Sequence, residues 1–129
     1  MDDLIQITHE PIISEDFISG IKWDECGALV TFTGKVRGHS DGRRVLSLEH
    51  AANAQDAERM LRNIIRQMRE QWDLGPIAFS YRTGPVEAGG ITLVIAVAAT
   101  HRPAAFAACQ YAIDMFKQQV KSKEIREDD

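Results

Sequence analysis

Apolar and polar positions follow two periods along this chain, near two and near three to four residues, and the switch between them marks the elements. Leu4-Ile5-Gln6-Ile7-Thr8 reads as a short strand. Ser14 is placed to cap a brief helix carrying Phe17, Ile18 and Ile21. Gly27 to Val36 and Val45 to His50 are rich in β-branched and aromatic residues, and Gly38-His39-Ser40-Asp41-Gly42 between them is turn chemistry. The pattern predicts that these two strands pair as a β-hairpin.

Beyond Asn53, a suitable N-cap, Ala57, Met60, Leu61, Ile64, Ile65 and Met68 recur at helical spacing, with Arg59, Arg62, Arg66 and Arg69 placed to solvate the other faces. This helix is expected to end near Trp72, ahead of Gly75-Pro76. Ile77 to Gly84 and Ile91 to Thr100 read as strands joined through Pro85 and Gly89-Gly90, and the second is apolar enough for mid-sheet. Pro103 suits a first helical position, and Phe106, Cys109, Ile113, Phe116 and Val120 form one stripe of a closing helix. The order β-α-β-β-α-β-β-α implies an α+β two-layer sandwich, helices packed on a largely antiparallel sheet.

A length of 129 residues suits one domain, residues 1–129, and neither a repeat nor a linker divides it. With 44% hydrophobic residues the chain can bury a core without staples. The net charge of −4 argues against a protein that coats nucleic acid or an anionic membrane. That charge is uneven: Asp2, Asp3, Glu10, Glu15, Asp16, Asp24 and Glu25 face only Lys22 near the start, so the remainder is net basic and suits a small anion. The longest apolar stretch, Ile91 to Ala99, is far short of a membrane span, and the start has no signal-peptide pattern. Cys26 and Cys109, far apart and outside any CxxC, read as reduced thiols of a cytoplasmic protein.

Three places can carry chemistry. In Phe32-Thr33-Gly34-Lys35-Val36-Arg37-Gly38, Lys35 and Arg37 share a strand face, as two contacts to one phosphate or carboxylate require; a solvated strand end with Gly34 at a bulge explains the same residues. His101 and Arg102 fall at a helix N-terminus, where free N–H groups favour an anion and a histidine can move protons, or where they simply cap the helix. Lys117 can be a reactive amine if it sits beside cations or in an apolar pocket, and otherwise forms an i,i+3 pair with Asp114. Arg82 is either a salt-bridge partner or a ligand-facing cation. His9, His39 and His50 match no metal-binding spacing, Cys109 reads as core, and no glycine-rich phosphate loop is present.

Taken in order, Phe32-Thr33-Gly34-Lys35-Val36-Arg37, Leu48-Glu49-His50, Arg82-x-Gly84, His101-Arg102 with Ala105-Phe106, and Asp114-x-x-Lys117 resemble the large, catalytic subunits of molybdopterin synthase. The resemblance implies an α/β hammerhead fold. It also implies a sulfur transferase that converts cyclic pyranopterin monophosphate to the dithiolene of molybdopterin. The sulfur would come from the C-terminal Gly-Gly thiocarboxylate of a small ubiquitin-like subunit, within a heterotetramer built on a homodimer of large subunits. No metal or cofactor is implied for the transfer.

By the same resemblance, Lys35, Val36, Arg37, His101, Arg102, Lys117, Lys123 and Glu124 bind substrate and the partner's tail. Lys117, Lys123 and His101 act in catalysis, with Phe32, Gly34 and Arg82 in support. Lys121 competes with Lys123 as the second lysine, in a tail that lacks the family's proline and tryptophan and stops at Asp128-Asp129, before the family's further C-terminal segment. Ala51 replaces the family's aromatic residue after the Glu-His pair. One helix from 102 to 117 would hold His101 and Lys117 about 24 Å apart, so the expected site is composite, with His101 and Arg102 crossing a dimer interface. A partner-binding relative without turnover is the alternative. A nucleic-acid-binding α+β module using Phe32, Lys35 and Arg37 is a more distant one, disfavoured by the acidic balance.

Overall fold

A computed structural model of the chain describes residues 3–50 and 53–127; Ala51, Asp128 and Asp129 lie outside the described residues. The elements run β1 (Leu4–Thr8), α1 (Ser14–Ser19), β2 (Ala28–Lys35), β3 (His39–Ser40), β4 (Arg43–His50) and α2 (Ala54–Gln71). They continue as β5 (Ile77–Arg82), β6 (Gly84–Glu87), β7 (Ile91–Ala99), α3 (Arg102–Gln119) and β8 (Ser122–Arg126).

The larger sheet has the order β1-β5-β7-β2, antiparallel except for the parallel pair β1 and β5. One of its faces carries Phe79, Tyr81, Leu93, Ile95 and Val97 into a core completed by Leu61, Ile64 and Met68 of α2 and Ala105, Ala108 and Ala112 of α3. This is the expected α+β layering of helices on a mostly antiparallel sheet. The opposite face, with Ala78, Ser80, Val94, Ala96 and Ala98, is buried too, so β7 lies in mid-sheet as its composition predicts.

The helices follow their sequence signals unevenly. Asn53 caps α2 as expected, its side chain accepting from the Asp56 N–H at 2.9 Å. Ser14 does not cap α1: Ile13 holds that position without a side-chain bond, and Ser14 is the first helical residue. On α3 the buried face is Ala105, Ala108, Cys109, Ala112 and Phe116, whereas Phe106 is 61% exposed. The expected stripe through Phe106 is therefore corrected. Alanines at i, i+3 and i+7 let the helix lie close on the sheet and turn the larger Phe106 outward. Arg59, Arg62 and Arg66 do solvate α2 through pairs with Asp56, Glu58 and Glu70. Arg69 instead reaches Asp3 and the carbonyls of Leu74 and Gly75, tying the start of β1 to the α2–β5 connection.

Strand partners differ most from expectation. The hairpin predicted from β2 and β4 is not formed: β2 pairs with β7, and β4 is the centre of a second, smaller sheet flanked by β6 and β8. Both strands carry the propensity, but Ala28, Val30 and Phe32 of β2 pack against the main core while Val45 and Leu48 of β4 pack with Val36 and Val86 in a separate cluster. Burial of the two apolar faces, rather than proximity along the chain, selects the partners. The turn chemistry between them serves the short pair β3–β4, where Asp41 (φ 54°) and Gly42 (φ 75°) make a two-residue turn with both residues left-handed. The strand expected from Ile77 to Gly84 ends at Arg82, and Gly84 at φ 79° redirects the chain into β6 and the second sheet. The tail, for which no strand was expected, forms β8 against β4.

Candidate active site

Where the two sheets meet α3, a cavity of about 480 Å³ opens. Its wall takes Phe32, Gly34 and Lys35 from β2, Val36 and Arg37 from the segment that follows, Leu48 and His50 from β4, Thr92 and Leu93 from β7, Phe116, Lys117 and Val120 from α3 and its end, and Ser122 and Glu124 from β8. The Lys35–Arg37 pair and Lys117, separated by most of the chain, thus converge.

A β-bulge makes the β2 end suitable. The β2–β7 register shifts between Gly34, opposite Leu93, and Lys35, opposite Ile91, and the Thr92 hydroxyl donates to the Gly34 carbonyl at 3.2 Å. A side chain at Gly34 would meet the Phe32 ring and the Thr92 hydroxyl at 3.2 Å, so glycine keeps this wall thin. Both readings of the motif hold together, since the bulge is present and the cations beyond it line the cavity.

Charge in the cavity is partly internal. The Arg37 guanidinium lies 3.9 Å from one Glu124 carboxylate oxygen, and Arg126 donates to the other at 3.1 Å. Among the described residues no carboxylate forms an ion pair with Lys35 or Lys117. Asp114 accepts from Gln110 instead of pairing with Lys117. The cavity therefore offers two lysines and a half-occupied arginine to an anion, against an apolar floor of Phe32, Leu93, Phe116 and Val120.

One lining residue was not singled out for chemistry by the sequence. His50 stands opposite Gly84 and Ser122 in the small sheet, and its Nδ1 lies 3.4 Å from the Arg82 carbonyl. Its ring packs on Tyr81 with centroids 5.1 Å apart, and Tyr81 meets Phe116 edge-on at 5.1 Å. Burial holds the His50 pKa below its ordinary value, against a smaller upward pull from the Arg82 carbonyl. Burial also pushes the Tyr81 phenol up to about 12. His50 matches no metal-ligand spacing, and its place in Leu48-Glu49-His50 at a strand end is the signal the sequence carries for it. Among the described residues no cluster of His, Cys, Asp and Glu is arranged to hold a metal.

The remaining residues expected at the site fall elsewhere. His101 and Arg102 are exposed at the start of α3, a single helix, so about 24 Å separate His101 from Lys117. Lys123 alternates with the lining residues Ser122 and Glu124, which puts it on the opposite face of β8. Lys121 lies between the lining residues Val120 and Ser122. Arg82 is a structural cation, paired with Glu87 at 3.3 Å and donating to the His9 carbonyl at 3.3 Å. Cys109 is buried in the core, its thiol pushed up to about 11, and Cys26 is free and exposed. Among the described residues no helix is long and apolar enough to cross a membrane.

Known proteins resemble this chain in sequence and in fold. The family model described as MoaE protein matches residues 7–119. The molybdopterin synthase catalytic subunit of Bacillus subtilis is 39% identical over 125 residues, covering 95% of this chain and 80% of the relative. The human protein of the same name is 34% identical over 128 residues, covering 98% and 68%. Among solved structures, molybdopterin synthase from Staphylococcus aureus superposes with a TM-score of 0.87 at 34% identity, over 96% of this chain and 92% of that one. A complex of subunits 1 and 2 of the molybdopterin-converting factor from Helicobacter pylori shares the fold at a TM-score of 0.77 and 13% identity, over 97% and 86%. With the family model matching most of the chain, relatives of more than 30% identity along nearly its whole length and nearly the whole fold superposing, the chain belongs to the MoaE family, the catalytic subunits of molybdopterin synthase.

Proposed function

We propose that this chain, acting in the cytoplasm, converts cyclic pyranopterin monophosphate to molybdopterin, taking each sulfur from the C-terminal glycine thiocarboxylate of a small ubiquitin-like subunit. The observation that carries this reading is the convergence of Lys35, Arg37 and Lys117 on one cavity with an apolar floor. Such a wall suits a flat heterocycle bearing a cyclic phosphate, the arginine and Lys35 taking the phosphate oxygens. Lys117, held on the rigid end of α3, is the reactive amine beside the thiocarboxylate.

The reading includes a second copy of the chain. His101 and Arg102, at the far end of α3 from Lys117, serve the cavity of the other subunit, where Arg102 adds a cation and His101 moves protons during ring opening. Lys121 lies at the approach to β8 between two lining residues and Lys123 on the face of β8 turned from the cavity, and the reading takes one of the two as the second lysine. Glu124 positions Arg37. The β8 strand also bears on the alternative of a partner-binding relative without turnover, because the altered tail still delivers Ser122 and Glu124 to the wall.

The test is turnover of the pterin precursor with thiocarboxylated small subunit, followed as dithiolene product. Lys117→Ala is expected to lower the rate at least a hundredfold with the fold intact, since Lys117 is exposed. Lys123→Ala and Lys121→Ala identify the second lysine by which of them also falls. Wild-type rates in the Lys117 variant would overturn the assignment, and no product from the wild type would overturn the reading.

A further inference from the structure

A cavity lined by cations can bind an anion, but the sulfur transfer proposed above also needs a proton acceptor. Apart from the lysines, two lining side chains can take up a proton: Glu124 and His50. The Glu124 carboxylate is shared by Arg37 at 3.9 Å on one oxygen and Arg126 at 3.1 Å on the other, so both its oxygens are engaged. His50 is oriented differently. A carbonyl can only accept, so the 3.4 Å contact with the Arg82 carbonyl puts the ring proton on Nδ1. Nε2 is left with its lone pair, and among the described residues it has no partner. The ring is fixed from behind by Tyr81, itself wedged on Phe116, the residue before Lys117.

We propose that His50 is a catalytic base of this cavity, its Nε2 taking a proton from the water that releases each transferred sulfur from the partner subunit. The step rests on the function proposed above. Once the thiocarboxylate sulfur has bonded to a pterin carbon, that sulfur joins the partner's terminal acyl carbon to the substrate. Water then attacks the acyl carbon, forming a carbon–oxygen bond, and one water proton passes to His50 Nε2. The bond between acyl carbon and sulfur breaks, the sulfur stays on the pterin as thiolate, and the partner leaves with a C-terminal carboxylate after the second proton goes to solvent. No oxidant or reductant is needed. A neutral imidazole held by one backbone hydrogen bond is suited to this step, and general bases of this kind contribute about a hundredfold to ten-thousandfold.

Single-turnover mixing of the His50→Ala and His50→Gln proteins with thiocarboxylated partner and precursor tests the proposal, with intact-mass detection of the covalent partner–pterin adduct. The expected result is adduct formation at near wild-type rate, a release step slowed at least a hundredfold, and partial recovery in His50→Ala on adding free imidazole. Circular dichroism of both variants separates this from misfolding, and adduct formation itself reports an intact cavity. Release at the wild-type rate in both variants, or equal slowing of both steps without adduct build-up, overturns the role of His50. A wild-type protein that forms neither adduct nor product overturns the sulfur-transfer reading instead.

Discussion

Arg37, just beyond the end of β2, and Glu124, on β8, meet at 3.9 Å across the cavity, although most of the sequence lies between them. Glu124 opposes Leu48 in the β4–β8 register and also accepts from Arg126 at 3.1 Å, so one carboxylate sits between two guanidiniums. It holds Arg37 toward the cavity and fastens the tail strand to the body. Glu124→Lys would place a third cation there. The expected cost is on the order of 1 kcal/mol of stability, which lowers the melting temperature by a few degrees. An unchanged melting temperature would count against the fastening role.

Protonation of His50 sets a pH dependence of stability. Its pKa is lowered in the folded state, chiefly by burial, from an unfolded value near 6.5. The unfolded chain therefore binds the proton more readily, and stability rises with pH between the folded and unfolded values. This contribution is fully present above the unfolded value and is lost as pH falls through the folded one. Thermal unfolding scans from pH 7.5 downward should show a decline beginning near 6.5 that is smaller in His50→Gln, and parallel declines in the two proteins would remove His50 as the cause.

The Arg69 side chain joins Asp3 to the carbonyls of Leu74 and Gly75 while half-buried, and Asp3 also accepts from the Ile77 N–H at 3.1 Å. Removing the guanidinium strands a carboxylate and two carbonyls. Arg69→Ala should lose about 2–3 kcal/mol in urea unfolding, within the range for charge-assisted hydrogen bonds, and Arg69→Lys should recover little because the fork is lost. Full recovery by lysine would show that charge alone matters.

A composite site allows two dead proteins to complement each other. Lys117→Ala and Arg102→Ala, each impaired as a pure dimer, form on subunit exchange a mixed dimer in which one cavity has neither substitution. A statistical one-to-one mixture should reach roughly a quarter of wild-type turnover, as expected when half the dimers are mixed and each holds one intact site. Phe106→Asp, one turn past Arg102 and 61% exposed, should abolish this recovery if that end of α3 lies at the interface. A mixture no more active than its components would place the whole site within one chain.

Local chemistry was legible from the sequence wherever a signal acts over a few residues. The amphipathic run of α2, its Asn53 cap, the apolar β7 and the turn at Asp41-Gly42 were readable because period, capping and turn conformation depend on near neighbours. The same locality made Lys35, Arg37 and Lys117 visible as candidates, and the ordered motifs around them gave the family. Tertiary structure alone decided the partners. Strand propensity does not name a partner, so the expected β2–β4 hairpin gave way to β2 with β7 and β4 with β6 and β8, as burial of two separate apolar clusters required. That choice brought His50, Ser122 and Glu124 to the cavity and left His101 at the other end of α3, because a helix keeps its two ends apart whatever their chemistry.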